Sequence, residues 1–286
     1  MPISPCRRRS ERGVTLIELM VGLSIGLLVV AVAMGALMVS RGVSGTVSDA
    51  SSIQQQAAST MRVIGLQLRQ AGSLYLNPNS TNAAANNVPM APVAFETVVP
   101  ASGTVNGFDP SANTLGGTDT PVTLNVGYRR YKESVHKIAT PIALARNCLG
   151  GPAETSADQR VESIFQLDGT NLRCQGNGAT AQPIAQNVAN FQVRYLLQDL
   201  TEPGNAKIQY VTAGNVDLWA RVQAVEVCLV LFGAEPIDMP AGSTYTDCDG
   251  TAVDMTTLTG NRARRMHIMF RSVFQMRSQG LIGTVL

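Results

Sequence analysis

A run of 26 residues, Val14–Val39, reads VTLIELMVGLSIGLLVVAVAMGALMV and carries a single charge, Glu18. As an α-helix it extends about 39 Å, enough to cross a hydrocarbon layer of about 30 Å with tilt or overhang. A helix apolar on every side is not the surface helix of a soluble domain. The run is longer than the roughly 7–15 residues of a secretory h-region, and no A-x-A site follows it. It therefore predicts a retained anchor over 14–39.

Charge is distributed so as to orient that anchor. Arg7, Arg8, Arg9 and Arg12 precede it, opposed only by Glu11. Basic flanks stay cytoplasmic, so the bulk of the chain is expected in the periplasm of an inner-membrane, single-pass protein. The whole chain has 22 Lys+Arg against 20 Asp+Glu, and removing residues 1–13 turns the net +2 into −1. With no basic field on the remainder, one Trp and 5% aromatics, a nucleic-acid platform is not expected.

Glu18 needs an explanation of its own. A carboxylate at the centre of a membrane helix costs about 2.5–3.5 kcal/mol on insertion scales, and less near an end. Taken alone, snorkelling to the headgroups accounts for it. A second reading comes from Val14, four residues back, roughly 6 Å along the helix. Cleavage after Gly13 would place a cationic amine on Val14. A neighbouring subunit could bring that amine to Glu18, and charge pairing in a low-dielectric setting would fix subunit register.

The junction Arg12-Gly13-Val14-Thr15-Leu16-Ile17-Glu18 resembles the type IV prepilin processing site, G-[F/V/M]-T-L-[I/L]-E. The resemblance implies a membrane prepilin peptidase that cuts after Gly13 and methylates the new amine of Val14. The first mature residue of such proteins is usually Phe, from which Val14 departs. The resemblance also favours the register role for Glu18.

Gly22 and Gly26 form a small-xxx-small pair that permits close helix approach. The helix is expected to run on to about residue 71, some 87 Å from residue 14. Residues 47–71 contain no Pro. Ile53, Ala57, Met61, Ile64 and Leu68 recur at spacings of three and four, while Gln54, Gln55, Arg62 and Arg69 face elsewhere. Gly72 and Pro78 mark its end. This half is amphipathic and should lie against the exported domain.

Beyond 72 the pattern turns to loops and strands. Residues 73–121, including NPNSTNAAANN at 77–87, read as an irregular connection with a short strand near 93–99. Strands are expected at 122–131, 163–167, 171–174, 188–198, 207–212, 221–232 and 266–277. Asp168-Gly169 is a hairpin signal. The 221–232 run lacks polar alternation and predicts a strand buried on both faces. The fold class is α+β: a leader over 1–13, a long helix over 14–72, and a periplasmic β-rich domain over 73–286, with the helix packed on an antiparallel sheet.

Five cysteines occur. Cys6 lies in the leader, leaving Cys148, Cys174, Cys228 and Cys248, an even number in a compartment where disulfides persist. Three connectivities are open. Sequence-local pairing would close loops of roughly 20–30 residues, each worth about 3 kcal/mol.

Chemistry-bearing motifs are sparse. The two histidines sit in VHKI (His136) and MHIM (His267), and read as a surface turn and a strand position. No H-E-x-x-H, G-x-S-x-G or P-loop occurs, so no catalytic residue, cofactor or metal is expected. Asp247-Cys248-Asp249-Gly250 with Asp254 hints at calcium but lacks EF-hand spacing and reads as a turn held by Cys248. Arg262, Arg264, Arg265, Arg271 and Arg277 read as a solvated strand edge.

Several later stretches look like the PilW family of type IV pilus minor pilins: MRVIGLQLRQAG at 61–72, LRC at 172–174, NVANFQVRY at 187–195, WARVQAVEVCLVL at 219–231 and the arginine-bearing final strand. The resemblance implies a type IV pilin-like fold. It also implies a low-abundance subunit that primes pilus assembly with other minor pilins and sits at or near the tip. Its implied partners are the prepilin peptidase, other minor pilins, the major pilin, the inner-membrane assembly machinery and the lipid bilayer. A minor pseudopilin of a type II secretion system shares the leader and helix and stands as the alternative. A membrane-anchored periplasmic enzyme or binding protein is a third reading.

Overall fold

Ile53, Ala57, Ile64 and Leu68 recur along one stripe of helix α1 (Leu16–Gln70), and none is more than 5% exposed. The computed structural model describes residues 13–72, 98–136, 138–199 and 207–276. The leader to residue 12, the 77–87 tract, Cys6 and Arg277 lie outside these. The chain divides into two compact units within α1, one ending at Ser48 and one beginning at Asp49.

In the second unit α1 supplies one wall of the core. It ends where Gly72 takes a positive φ of 94°, a conformation that costs a residue with a Cβ far more. The Gly72 N–H then donates to the Gly127 carbonyl at 2.9 Å, and its own carbonyl accepts from Arg129 at 2.9 Å. The chain thus leaves the helix straight into pairing with the sheet.

The remaining elements follow in order. A one-turn helix α2 (Pro110–Asn113) leads to β1 (Leu115–Asp119), β2 (Val122–Arg129), β3 (Glu133–Val135) and β4 (Ile138–Ile142). Then come β5 (Arg160–Asp168), β6 (Asn171–Gly176), β7 (Gln182–Ala185), β8 (Val188–Asp199) and β9 (Lys207–Val211). The last are β10 (Val222–Phe232), β11 (Thr244–Thr246), β12 (Ala252–Asp254) and β13 (His267–Gln275). Two antiparallel sheets dominate: five strands in the order β1-β2-β5-β6-β7, and four in the order β13-β10-β8-β9. The pairs β3–β4 and β11–β12 form small ribbons.

Both sheets and the stripe of α1 share one core. Leu124, Val126, Phe165 and Leu172 come from the five-stranded sheet, and Phe191, Val193, Val225, Val227 and Leu229 from the four-stranded one. Burying each such side chain contributes about 1.5–3 kcal/mol. Alternation selects the inward face of β5, where Val161, Ser163 and Phe165 are buried between half-buried neighbours. Strand β10 is buried on both faces, as its sequence predicts, because a second cluster around Cys228 and Val230 covers its outer side.

All seven expected strands are present, with ends moved by one to three residues. The Asp168-Gly169 turn joins β5 to β6, with Asp168 opposite Asn171 and Gly169 at φ 59°. The irregular reading of 73–121 fails in its last part: α2 and β1 lie there. Strand β1, LGGTD, has no polar alternation to announce it. Of the expected strand near 93–99 only Val98 and Val99 lie within the described residues, and Val99 makes an isolated bridge to Phe108.

Candidate functional site

The N-terminal site begins with two exposed residues. Gly13 has no neighbour within 4 Å of where a Cβ would sit, and Val14 is 72% exposed. Thr15 then starts α1. Its hydroxyl accepts the Glu18 N–H at 3.3 Å, and the Glu18 carboxylate accepts the Thr15 N–H and hydroxyl, each at 3.1 Å. This reciprocal arrangement is a capping box, which satisfies donors that the first helical turn leaves open. The signal T-x-x-E was readable in the sequence, and the reading of Glu18 as a register residue missed this local role. The cap turns the Glu18 carboxylate back towards Thr15 at the start of the helix.

From Leu16 to Met38 the helix is long and apolar enough to cross a membrane, and none of that span is buried. Its one hydroxyl, Ser24, donates to the Met20 carbonyl at 2.9 Å and is so satisfied within the helix. Gly22, Gly26 and Gly35 leave open notches on its surface.

The cysteines come together as two bridges. Cys148 is bonded to Cys174 with their Cα atoms 6.4 Å apart, and Cys228 to Cys248 at 5.7 Å. Of three connectivities, this is the sequence-local one. The first bridge is tied to α1. The Cys148 N–H donates to Ser163 Oγ at 3.1 Å, and Ser163 donates to Gln67 Oε1 at 3.0 Å. Gln67 and Ser163 are buried, and no local pattern marks them as partners 96 residues apart. Arg130, 3% exposed, holds the same loop by donating to the carbonyls of Ala153, Glu154, Ser156 and Asp158. The second bridge fastens the β11–β12 ribbon to the outer face of β10.

The acidic turn at 247–254 spends its carboxylates on its own backbone. Asp247 accepts from Asn190 and from the Cys248 N–H, Asp249 caps Thr251, and Asp254 caps Thr256. Among the described residues no group of three His, Cys, Asp or Glu side chains is placed to hold a metal ion.

The basic run is in part the solvated strand edge expected from sequence: β13 is an edge strand and Arg271 on it is exposed, as is Arg264 before it, whereas Arg262 and Arg265 are half-buried. Arg262 donates to His267 and Tyr245, Arg264 pairs with Asp238, and Arg265 donates to the Gly233 and Ala234 carbonyls. Arg271 donates to the Cys248 carbonyl at 2.7 Å and lies 3.8 Å from the buried Glu226, which Arg194 flanks at 4.0 Å. Arg262, Arg265 and Arg271 are structural clamps, whereas Arg264 pairs with Asp238 at the surface. Register across three strands brings them together, which the linear sequence does not display. His136 lies exposed in a turn, whereas His267 is buried at the first position of β13.

The chain thus combines an apolar helix, long enough to cross a membrane and with a capped, acid-bearing start, with an antiparallel β domain. Residues 8–34 match the model of the prokaryotic N-terminal methylation motif, and residues 155–278 match PilW, described as type IV pilus-assembly protein W. Over residues 155–278 the chain is thus similar to the type IV pilus-assembly protein W family, the family that its sequence resembles. Among solved structures it is similar to a type IV-like pilin from Thermus thermophilus, at 12% identity and a TM-score of 0.37, over 78% of this chain and 94% of that one. No curated protein matches.

Proposed function

We propose that the protein is a minor pilin, anchored in the inner membrane after loss of residues 1–13, that helps to prime assembly of a type IV pilus and enters the fibre at or near its tip. The observation that carries this reading is the coincidence, in one chain, of a methylation motif at 8–34 and a PilW-type region at 155–278. In this reading Gly13–Val14 is the cleavage junction and the Val14 amine is methylated by the prepilin peptidase. The N-terminus stays cytoplasmic and the β domain periplasmic. The partners are other minor pilins, the major pilin and the inner-membrane assembly machinery. The role is structural, resting on assembly rather than on turnover of a substrate.

The Glu18 carboxylate is the polar group of the anchor that a neighbour's methylated amine would meet. Its capping bonds use one face of the group, Oε2, and leave Oε1 for an incoming cation. The test is the intact mass of the native protein. It is expected to begin at Val14 with one added methyl group, and Gly13→Ala should leave the leader attached. A working protein that retains its first methionine overturns the assignment.

A further inference from the structure

His267 is held on every side. Its ring stacks between Phe232, at 5.7 Å between centroids, and Tyr245, at 4.8 Å. It is 5% exposed. Nδ1 lies 2.8 Å from the Arg265 carbonyl, which can only accept, so Nδ1 carries the proton. Nε2 is 3.1 Å from Arg262 Nε, which can only donate, so Nε2 must be bare. Both ring nitrogens are therefore committed to the neutral tautomer. Arg262 reaches on to the Tyr245 hydroxyl at 2.5 Å, closing a circuit between β13, the turn at 260–262 and β11.

This circuit fastens one end of a flap. Residues 244–262, with β11 and β12, cover the outer face of the four-stranded sheet, where Tyr245, Val253, Met255 and Leu258 pack on Cys228, Val230 and Met269. The other end is fastened by the Cys228–Cys248 bridge, by Asn190 to Asp247, and by Arg194 and Arg271 to the Cys248 carbonyl. Only the first fastening contains a group whose charge changes between about pH 5 and 8.

We propose that His267 is an acid-sensitive latch: a second proton at Nε2 breaks the bond from Arg262, frees residues 244–262 from the sheet, and leaves the flap tethered by Cys228–Cys248. The charged and titratable groups that face the ring are Arg262, which opposes protonation, Asp247, which favours it weakly from the flap, and Tyr245 stacked on it. Phe232 and the Arg265 carbonyl complete its surroundings. Burial, first, and the Arg262 guanidinium hold the imidazole below its ordinary value of 6.5, while the Arg265 carbonyl and Asp247 pull the other way. The open form is free to take the proton at the ordinary value. Closure is therefore strongest above that value and weakens as pH falls through it, levelling only below the lower value of the closed form.

The consequence is measurable on the full chain in detergent. With the open form titrating at the ordinary value of 6.5, lowering the pH to about 5.5 raises the open fraction, by at most about tenfold. Amide hydrogen exchange, corrected for the intrinsic effect of pH, is expected to show that loss of protection in peptides from 243–262. Peptides from β2 and β5 should not change. His267→Gln can still bond but cannot be protonated, and should make flap exchange independent of pH over this range. A wild-type flap that stays protected, or an equal loss in His267→Gln, overturns the proposal. A second measurement needs no variant. The chain has two histidines, so the imidazole resonances of exposed His136 and buried His267 are separable. His267 should keep its Nδ1–H tautomer while the flap is closed. Titration of His267 with the flap still protected also overturns the latch.

Discussion

Phe274 on β13 occupies the space that a side chain at Gly65 of α1 would need: a Cβ there would lie 2.5 Å from the ring's Cε1. Helix and sheet approach this closely because position 65 has no side chain. Glycine costs a helix interior about 1 kcal/mol relative to alanine. Overpacking a core costs about 1–3 kcal/mol, so the close approach outweighs the gain in propensity. Gly65→Ala should destabilise the full chain by about 1 kcal/mol. The double variant with Phe274→Leu should recover part of it. Thermal midpoints for the four members of the cycle measure the coupling, and additive effects would refute the contact's importance.

Thr15 and Glu18 separate the two roles of the acidic residue. Glu18→Ala and Glu18→Val lose both the cap and the charge, while Thr15→Val keeps the charge and loses the hydroxyl. All three should insert in the membrane, because the span from Leu16 to Met38 is otherwise unchanged. Among processed proteins, only the Glu18 variants should fail to co-purify with the other pilus subunits. Equal failure of Thr15→Val would make the cap, rather than the charge, the element that assembly needs.

Non-reducing peptide mapping should recover Cys148 with Cys174 and Cys228 with Cys248. With sequence separations of 26 and 20, each bridge is worth about 3 kcal/mol in the chain-entropy model. Paired Cys→Ser variants should lower the denaturant midpoint accordingly. Recovery of four free thiols from native protein would contradict the arrangement.

Asp119 sets an acid limit of its own. It accepts from the Ala213 and Gly214 amides and from the Thr212 hydroxyl, tying the end of β1 to the turn after β9. Burial pushes the carboxyl up, but the Gly214 amide, the Thr212 hydroxyl and the Ala213 amide together hold it below its ordinary value. A depressed carboxylate stabilises the fold above its unfolded value and loses that contribution as pH falls through the folded one. The wild type should therefore be more stable than Asp119→Asn near neutrality, with the gap closing below about pH 4. A gap unchanged between pH 7 and 3 would remove Asp119 from this role.

What the sequence displays and what it hides divide along locality. The stripe Ile53–Leu68, the doubly buried β10 and the Asp168-Gly169 turn were legible because each is a short-range pattern of side chains. The cap on Glu18 was legible too, as T-x-x-E, but the same letters also resemble a prepilin processing site, and that resemblance drew the reading away from the cap. Strand β1 was hidden: Gly116 and Gly117 weaken any strand pattern, and at Gly117 a Cβ would collide with the Tyr195 hydroxyl from β8. The arginines of β8 and β13 reveal nothing until strand register sets Arg194 opposite Glu226 and Arg271 opposite Cys228. Non-local neighbours, not composition, made the difference.

The two bridges never interleave along the chain. A polypeptide threaded amino end first through a translocation channel presents Cys148 and Cys174 to an oxidant before Cys228 has emerged, and the later pair follows as a separate event. On the proposed periplasmic placement, order of delivery alone selects the native connectivity, with no shuffling step needed to undo crossed partners.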